Sequence, residues 1–143
     1  MAYATQQDLI ERFGATELIQ LTDKVNKPAS TIDELTVGRA IFDAEARINS
    51  YVGKAAQLPL TVVPPYLAKV TCDLARYFLH GKAAEKDGPV ERAYDEAVDW
   101  LKDVSKGLVS LDAEGVSPVQ AGGGSVKASA PDRVFTRDSL RDF

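Results

Sequence analysis

The chain has 143 residues and a net charge of −4, and hydrophobic residues make up 45% of it. A chain of this length and composition forms one globular domain with a core of its own. The acidic balance argues against a nucleic-acid binder held by a broad basic patch, because phosphate affinity needs clustered lysine and arginine. The single cysteine cannot form an internal disulfide.

Two short helices are predicted near the N-terminus. The first residues, MAYATQQDL, lack the basic and apolar regions of a signal peptide, so we expect the protein to fold in a cytoplasm. Thr5 followed by Asp8 resembles an N-cap with an acid in the first turn, and Gly14 suits the left-handed position that ends a helix. A second brief helix is predicted over 15–21. Neither helix is stable alone, so both must pack on the rest of the domain.

A long amphipathic helix is predicted to begin at a capping box formed by Thr31 and Glu34. Charged residues such as Arg39 and Asp43 lie off its apolar stripe, so one side of this helix is expected to face a core. The apolar residues keep helical spacing as far as Gly53; they are Val37, Ala40, Ile41, Ala44, Ile48, Tyr51 and Val52.

The central element of the predicted fold is a helix over 65–81. Its spacing gives two apolar stripes and one narrow polar seam, and the seam consists of Lys69, Asp73, Arg76 and His80. A helix with so little polar surface is mostly surrounded by protein, and it is too short and too polar to span a bilayer. Pro65 fits its first turn, where a missing N–H costs nothing. The preceding proline-rich segment, 53–65, is expected to lie along the core.

The last long helix is predicted to open at Pro89 and to end near Gly107. Trp100 falls on the shoulder of its apolar stripe. Because Tyr and Trp are enriched at interfaces, Trp100 is the best single candidate for a subunit contact. Residues 108–111 are expected to form a short strand or a turn. The apolar face consists of Val90, Ala93, Tyr94, Ala97, Leu101, Val104 and Leu108.

The composition changes after residue 112, where Gly, Ser, Ala and Pro dominate before apolar residues return. This pattern predicts a helical domain over 1–112, a flexible Gly/Ser/Pro linker over 113–131 and a C-terminal docking arm over 132–143. The predicted fold is therefore all-α: a small helical bundle with a central buried helix, followed by an extended C-terminal arm. The predicted partner-binding residues are Val134, Phe135, Arg137, Leu140 and Phe143 in the arm, together with Trp100.

No catalytic, cofactor-binding or metal site is predicted, and the chain is not expected to be an enzyme. His80 is the only histidine, so a metal site built from several histidines is impossible. Cys72 lies in an apolar stripe and is expected to act as a small buried hydrophobe rather than a nucleophile. The acidic residues of the helices lie opposite the apolar stripes, which predicts a solvated surface. The glycines at 122–124 lack the Gly-Lys-Ser/Thr ending of a phosphate-binding loop.

Three segments of the chain carry a family resemblance: YATQQDLIERFGATELIQLTD at the start, YVGKAAQLPLTVVPPYLAKVTCDLARYFLH in the middle, and VFTRDSLRDF at the end. Together they resemble the gene-product-36 family of Mu-like phages and prophages. The likeness runs nearly end to end. Its most specific parts are Asp8-Leu9 with Phe13-Gly14, Leu58-Pro59-Leu60, Val63-Pro64 and Leu74-Ala75-Arg76-Tyr77.

The resemblance implies a structural virion protein of the head–tail connector (adaptor or head-completion) type. Such a protein forms a homo-oligomeric ring, expected to be a dodecamer, at the portal vertex. It joins the DNA-filled capsid to the tail and extends the channel for DNA.

The partners implied in the same way are other copies of the chain, the portal protein and a downstream neck or tail-completion protein. DNA would pass through without sequence-specific binding, no membrane is involved, and the virion neck is the implied location. Two other functions stay open: another neck or tail-terminator protein, and a small helical DNA-binding regulator. The regulator would need a helix with several exposed basic or amide residues.

Overall fold

The computed structural model describes residues 2–111, and in this range the chain forms five α-helices and no strand. The all-α bundle predicted from helical periodicity is confirmed for this range. The predicted linker over 113–131 and the arm over 132–143 lie outside the described residues. The helices are α1 (Gln6–Phe13), α2 (Ala15–Thr22), α3 (Glu34–Val52), α4 (Pro65–His80) and α5 (Pro89–Ser105), and a 3₁₀ turn, Gly81–Ala83, follows α4.

The helix α4 is the element on which the others pack, as its two apolar stripes predict. It lies between α3 and α5, which also contact each other, and α1 and α2 pack against it as well. Leu67 and Leu74 have no solvent exposure, and every residue from 70 to 75 is buried. Near its C-terminal end, Tyr77 stacks on Tyr94 of α5 with ring centroids 4.0 Å apart.

All five helices contribute to the core. Leu60, in the proline-rich segment between α3 and α4, is also buried, whereas Leu58 and Val62 are about two-fifths exposed. That connection therefore follows the core through Ala56, Leu60 and the partly buried Val63 rather than along its whole length. The largest fully buried aliphatic side chains are Leu9, Leu18, Val37, Ile48, Val52, Leu67, Val70, Leu74, Leu101 and Val104.

The start and end of α1 follow the sequence prediction. The Thr5 hydroxyl accepts a hydrogen bond from the Asp8 N–H at 3.3 Å, and the Asp8 carboxylate accepts one from the Thr5 N–H at 2.7 Å. These reciprocal bonds satisfy two N–H groups that have no partner within the helix. Gly14 ends α1 with φ at +89°, a backbone conformation that side chains other than glycine rarely adopt. Pro65 occupies the first turn of α4, as expected.

The predicted capping box of α3 is wrong. This helix begins at Glu34, and its N-cap is Asp33, whose carboxylate accepts a hydrogen bond from the Leu35 N–H at 3.1 Å. The Thr31 N–H instead donates to the Asp23 carboxylate at 3.1 Å. Asp23 also accepts the N–H groups of Asn26 and Ser30, and these donors hold the pKa of its carboxyl well below its usual range. Thr31 therefore belongs to the loop before α3.

The C-terminal end of the bundle is a turn rather than a strand. The helix α5 ends at Ser105, and Gly107 follows with φ at +75°. The sequence placed Leu108 on the apolar face of α5, but it lies beyond the helix and is 73% exposed. Val98, which the sequence pattern did not select, is buried at 7% exposure. The rest of the predicted apolar face is buried or partly buried.

Replacing a central leucine of α4 will destabilise the whole domain. Leu74→Ala removes atoms from a site with no solvent exposure, so we expect the free energy of unfolding to fall by about 2–5 kcal/mol. Leu35→Ala is a matched control, because the same atoms are lost from a side chain that is 64% exposed. Urea unfolding followed by circular dichroism measures both. Equal losses for the two variants would contradict the central position of α4.

Candidate interaction surfaces

The polar seam of α4 is confirmed as a line on the helix, but it is not a solvated face. Lys69 Nζ lies 2.8 Å from Asp73 Oδ2 one turn away, and Asp73 is only 7% exposed. Arg76 and His80, further along the seam, both contact Glu17 of α2. The later half of the seam therefore joins α4 to α2, while Lys69 and Asp73 pair with each other along α4.

Glu17 is the acceptor that ties the N-terminal helices to α4. Arg76 Nε lies 2.7 Å from Glu17 Oε1, and Arg76 Nη2 lies 3.1 Å from Oε2. His80 Nε2 lies 3.0 Å from Oε1 of the same carboxylate. The guanidinium carbon of Arg76 also lies 4.3 Å from the centre of the Phe13 ring, so one side chain contacts both α1 and α2. The sequence placed Arg76 and His80 in the polar seam without indicating a partner for either.

Two opposing effects set the pKa of Glu17. Burial raises it, while the hydrogen bonds and positive charges of Arg76 and His80 lower it and prevail. The pKa of Glu17 in the folded protein is therefore below the ordinary glutamate value of 4.5. The paired, ionised carboxylate stabilises the fold at pH values above 4.5, and this contribution is lost as the pH falls through the folded-state pKa.

The chain before α1 is also held by an acidic residue. Tyr3 is 6% exposed; its N–H donates to Glu45 Oε1 at 2.6 Å, and its hydroxyl is hydrogen-bonded to Asn49. Burial, with the nearby charge of Glu45, raises the pKa of the Tyr3 hydroxyl. The prediction that the acidic residues are simply solvated is therefore wrong for Glu45, which fixes the first residues onto α3.

The chemistry of the described residues gives no reactive centre at Cys72. Its side chain has no solvent exposure, and burial raises the pKa of the thiol to about 11. The thiolate, which is the nucleophilic form, is therefore scarce at neutral pH. Within residues 2–111, no group of three or more His, Cys, Asp or Glu side chains could hold a metal ion. In the same range, no helix is long and apolar enough to cross a membrane.

Trp100 lies at the surface but is partly packed within its own chain. Its ring meets Tyr66 of α4 edge to face, with centroids 4.8 Å apart. The Lys69 ammonium lies 5.6 Å from the centre of the Tyr66 ring. Beside Trp100 is an open hollow of about 230 Å³, lined by Pro64, Pro65, Tyr66, Val109, Ser110 and Leu111. Trp100 is thus the wall of an apolar hollow at the end of α5.

The outward side of α3 carries apolar side chains that the sequence interpretation left out. Leu35 is 64% exposed and Phe42 is 70% exposed, although both belong to a well-packed helix. They line an open hollow of about 350 Å³ together with Glu34, Gly38, Arg39 and Asp43. The sequence contains a signal for this surface, because Leu35 and Phe42 are large apolar residues at positions outside the core stripe of α3.

The structure can place one of the six predicted partner-binding residues. Trp100 is on the surface of the bundle, as described above. The other five, Val134, Phe135, Arg137, Leu140 and Phe143, lie outside the described residues, so their role stays a prediction.

The comparison with known proteins gives the family. Residues 3–129 match the family described as Bacteriophage Mu, Gp36. The Mu-like prophage FluMu protein gp36 of Haemophilus influenzae is 32% identical over 145 residues, covering 99% of this chain and 97% of that protein. Gene product J of Escherichia phage Mu is 30% identical over 138 residues, covering 96% of each. The chain is therefore a phage-type protein, and it belongs to the Mu Gp36 family.

Removing the charge of Glu17 will weaken the attachment of α1 and α2. We expect Glu17→Gln to lower the free energy of unfolding by about 1–2 kcal/mol at pH 7, because Arg76 and His80 lose a charged acceptor. The difference from the parent protein should shrink as the pH falls below 4.5, where the parent carboxylate takes up its proton.

Urea unfolding across pH 3–8 checks this expectation. Glu96→Gln is the control, because Glu96 is an exposed glutamate of α5. A difference between Glu17→Gln and the parent that stays constant across this pH range would show that the ion pairs do not stabilise the fold.

Proposed function

We propose that the chain is a structural virion protein, a head–tail connector that forms a ring at the portal vertex. Its copies join the DNA-filled capsid to the tail and extend the DNA channel, twelve copies being the number implied by the family likeness. The observation that carries the proposal is family membership across almost the whole chain, at about 30% identity to two proteins of Mu and a Mu-like prophage. The proposed partners are other copies of the chain, the portal protein and a downstream tail-completion protein.

The packed helical bundle suits a ring subunit that is under mechanical force. A central helix buried by neighbours on several sides gives a body that resists deformation, because packed interiors have low compressibility. The contacts of Glu17 with Arg76 and His80 attach α2 to the same body, and the Arg76 guanidinium also contacts the Phe13 ring of α1. A ring of such subunits keeps the diameter of its channel under the forces that the capsid and the tail exert on it.

The outer face of α5 suits a channel that DNA traverses without binding. Its exposed charged residues are Arg92, Asp95, Glu96, Asp99 and Lys102, three acidic against two basic, and Lys102 is paired to Asp99 at 3.1 Å. Carboxylates facing the bore repel phosphate, whereas clustered lysine and arginine would retain the DNA. We therefore propose that this face lines the channel.

The C-terminal arm over 132–143 is proposed to hold neighbouring proteins, with Phe135, Leu140 and Phe143 as its apolar anchors. Ordering such a segment costs conformational entropy, so one arm binds weakly. A closed ring of identical arms binds firmly, because each contact raises the effective concentration of the next.

Loss of the gene tests the function directly. We expect cells that make phage without this chain to accumulate DNA-filled heads and separate tails of normal length, visible by electron microscopy. Tails of irregular length would instead identify a tail terminator, since a terminator stops tail growth. Particles that join normally without the chain would contradict both functions. Pull-down with the portal protein, against tail-tube protein, separates the connector from the terminator biochemically.

Deleting residues 132–143 tests the arm. Restored to the null strain, the shortened chain should be recruited to heads much less than the parent chain, because each subunit loses its apolar anchors. The circular dichroism spectrum and melting temperature should match the parent, because the five described helices and the core that they form lie within residues 2–111. Western blotting of purified heads measures recruitment. Normal recruitment and tail joining would show that the arm is not needed.

Trp100→Ala tests the proposed subunit contact at the end of α5. Truncating a tryptophan at the centre of an interface typically costs 2 kcal/mol or more, which corresponds to about thirtyfold in affinity. We expect a loss of this size in the binding of the chain to heads lacking it. Trp100→Phe retains an aromatic ring against Tyr66 and is the matched control for folding. A Trp100→Ala protein that assembles as well as the parent would remove Trp100 from the interface.

A further inference from the structure

The helix α3 has a second apolar stripe that faces solvent. Its core stripe is covered, yet Leu35, Gly38, Phe42 and Ala46 are all exposed on the opposite side. Their spacings of three and four residues align them along the helix for about 16 Å. We call these four residues the outer α3 face.

The shape of the outer α3 face fits an apolar side chain from outside. A Cβ atom added at Gly38 would meet nothing within 4 Å, so there is open space between Leu35 and Phe42. The hollow at this place has a volume of about 350 Å³. Glu34, Arg39 and Asp43 form its rim. Single exposed apolar residues are common, but two large ones around a gap with a charged rim mark an interaction surface.

We propose that the outer α3 face binds residues 132–143 of a neighbouring copy of the chain. This inference rests on the proposed ring and adds the contact that closes it. In a ring of more than two subunits, each interface joins two different surfaces, because a surface that binds its own copy closes a dimer instead. The outer α3 face therefore needs a different part of the neighbouring chain as its complement.

The C-terminal segment has the chemistry for this complement. It presents Val134, Phe135, Leu140 and Phe143 among alternating arginines and aspartates. Its large apolar side chains suit the gap at Gly38, and its mixed charges suit a rim that also contains both signs.

The chain length allows the segment to reach the next subunit. The twenty residues over 112–131 span at most about 70 Å when fully extended. The helix α3 itself, with 19 residues, is about 28 Å long. The segment can therefore pass beyond its own bundle and lie along α3 of a neighbour.

Photo-crosslinking on assembled heads tests which segment lies on the outer α3 face. Phe42 is replaced by p-benzoylphenylalanine in the full-length protein, and an equal mixture of unlabelled and nitrogen-15-labelled protein is added to DNA-filled heads that lack the chain. After irradiation, mass spectrometry should find position 42 joined to a peptide within 132–143, in pairs of mixed isotope content. The same photoreactive residue at Val25, which is 89% exposed in a loop, is the control and should give no such product.

The outcomes separate this contact from the ring on which it rests. Four results would overturn the docking while leaving the connector function standing. They are a crosslink from position 42 to α3 of a second copy, a crosslink within the same chain, a crosslink to another phage protein, and no crosslink in heads that carry the chain. If the parent chain does not bind the heads at all, the connector function is overturned, and the docking with it.

A double-mutant comparison tests the same pairing by another route. Leu35→Ser with Phe42→Ser should reduce binding to heads by about thirtyfold or more, as expected when anchors of an interface are removed, while Val25→Ser should leave it unchanged. If the outer α3 face and the segment bind each other, deleting 132–143 as well should cause little further loss. Losses that multiply would show that the two parts act at separate places and would overturn the proposal.

Discussion

The burial of α4 between α3 and α5 is the constraint on which the rest of the structure depends. Every residue from 70 to 75 is buried, so the helices around α4 are positioned by the shape of its surface. The short helices α1 and α2 could not stand alone, and their attachment to α4 through Leu9, Leu18 and the Glu17 ion pairs explains their presence. The bundle is therefore one packed unit rather than a set of independent hairpins.

This packing also decides which surfaces are available to partners. Within the polar seam of α4, Lys69 pairs with Asp73, and Arg76 contacts Glu17 of α2. Tyr3 fixes the N-terminal residues to α3. Two of the places where apolar side chains stay exposed are the hollow beside Trp100 and the outer α3 face. The two places belong to different helices, so they could serve as the two different surfaces that the proposed ring requires of each subunit.

The sequence predicted the fold wherever a local pattern carried the information. Three such predictions are confirmed: the periodicity of α4, the capping pair of Thr5 and Asp8, and Pro65 in the first turn of α4. It could not predict that Glu17 would meet Arg76, because these residues are 59 positions apart and nothing in either local pattern joins them. The predicted start of α3 is wrong because Thr31 and Asp33 are both favourable N-cap residues. Thr31 instead donates its N–H to the Asp23 carboxylate in the preceding loop, and Asp33 caps the helix. The periodicity that identifies the core stripe of α3 does not distinguish Phe42, which lies on the opposite side of the same helix.

We propose that a bundle packed around α4 is the repeating body of a ring between capsid and tail. Electron cryomicroscopy of the neck in mature particles tests it most directly. We predict a ring of identical copies in which α4 lies at the centre of each subunit. The exposed faces of α3 and α5 should lie on the surface of the subunit, away from its hydrophobic core. A neck with no density for this bundle, or a ring in which α4 lies exposed at the contacts between subunits, would contradict the account.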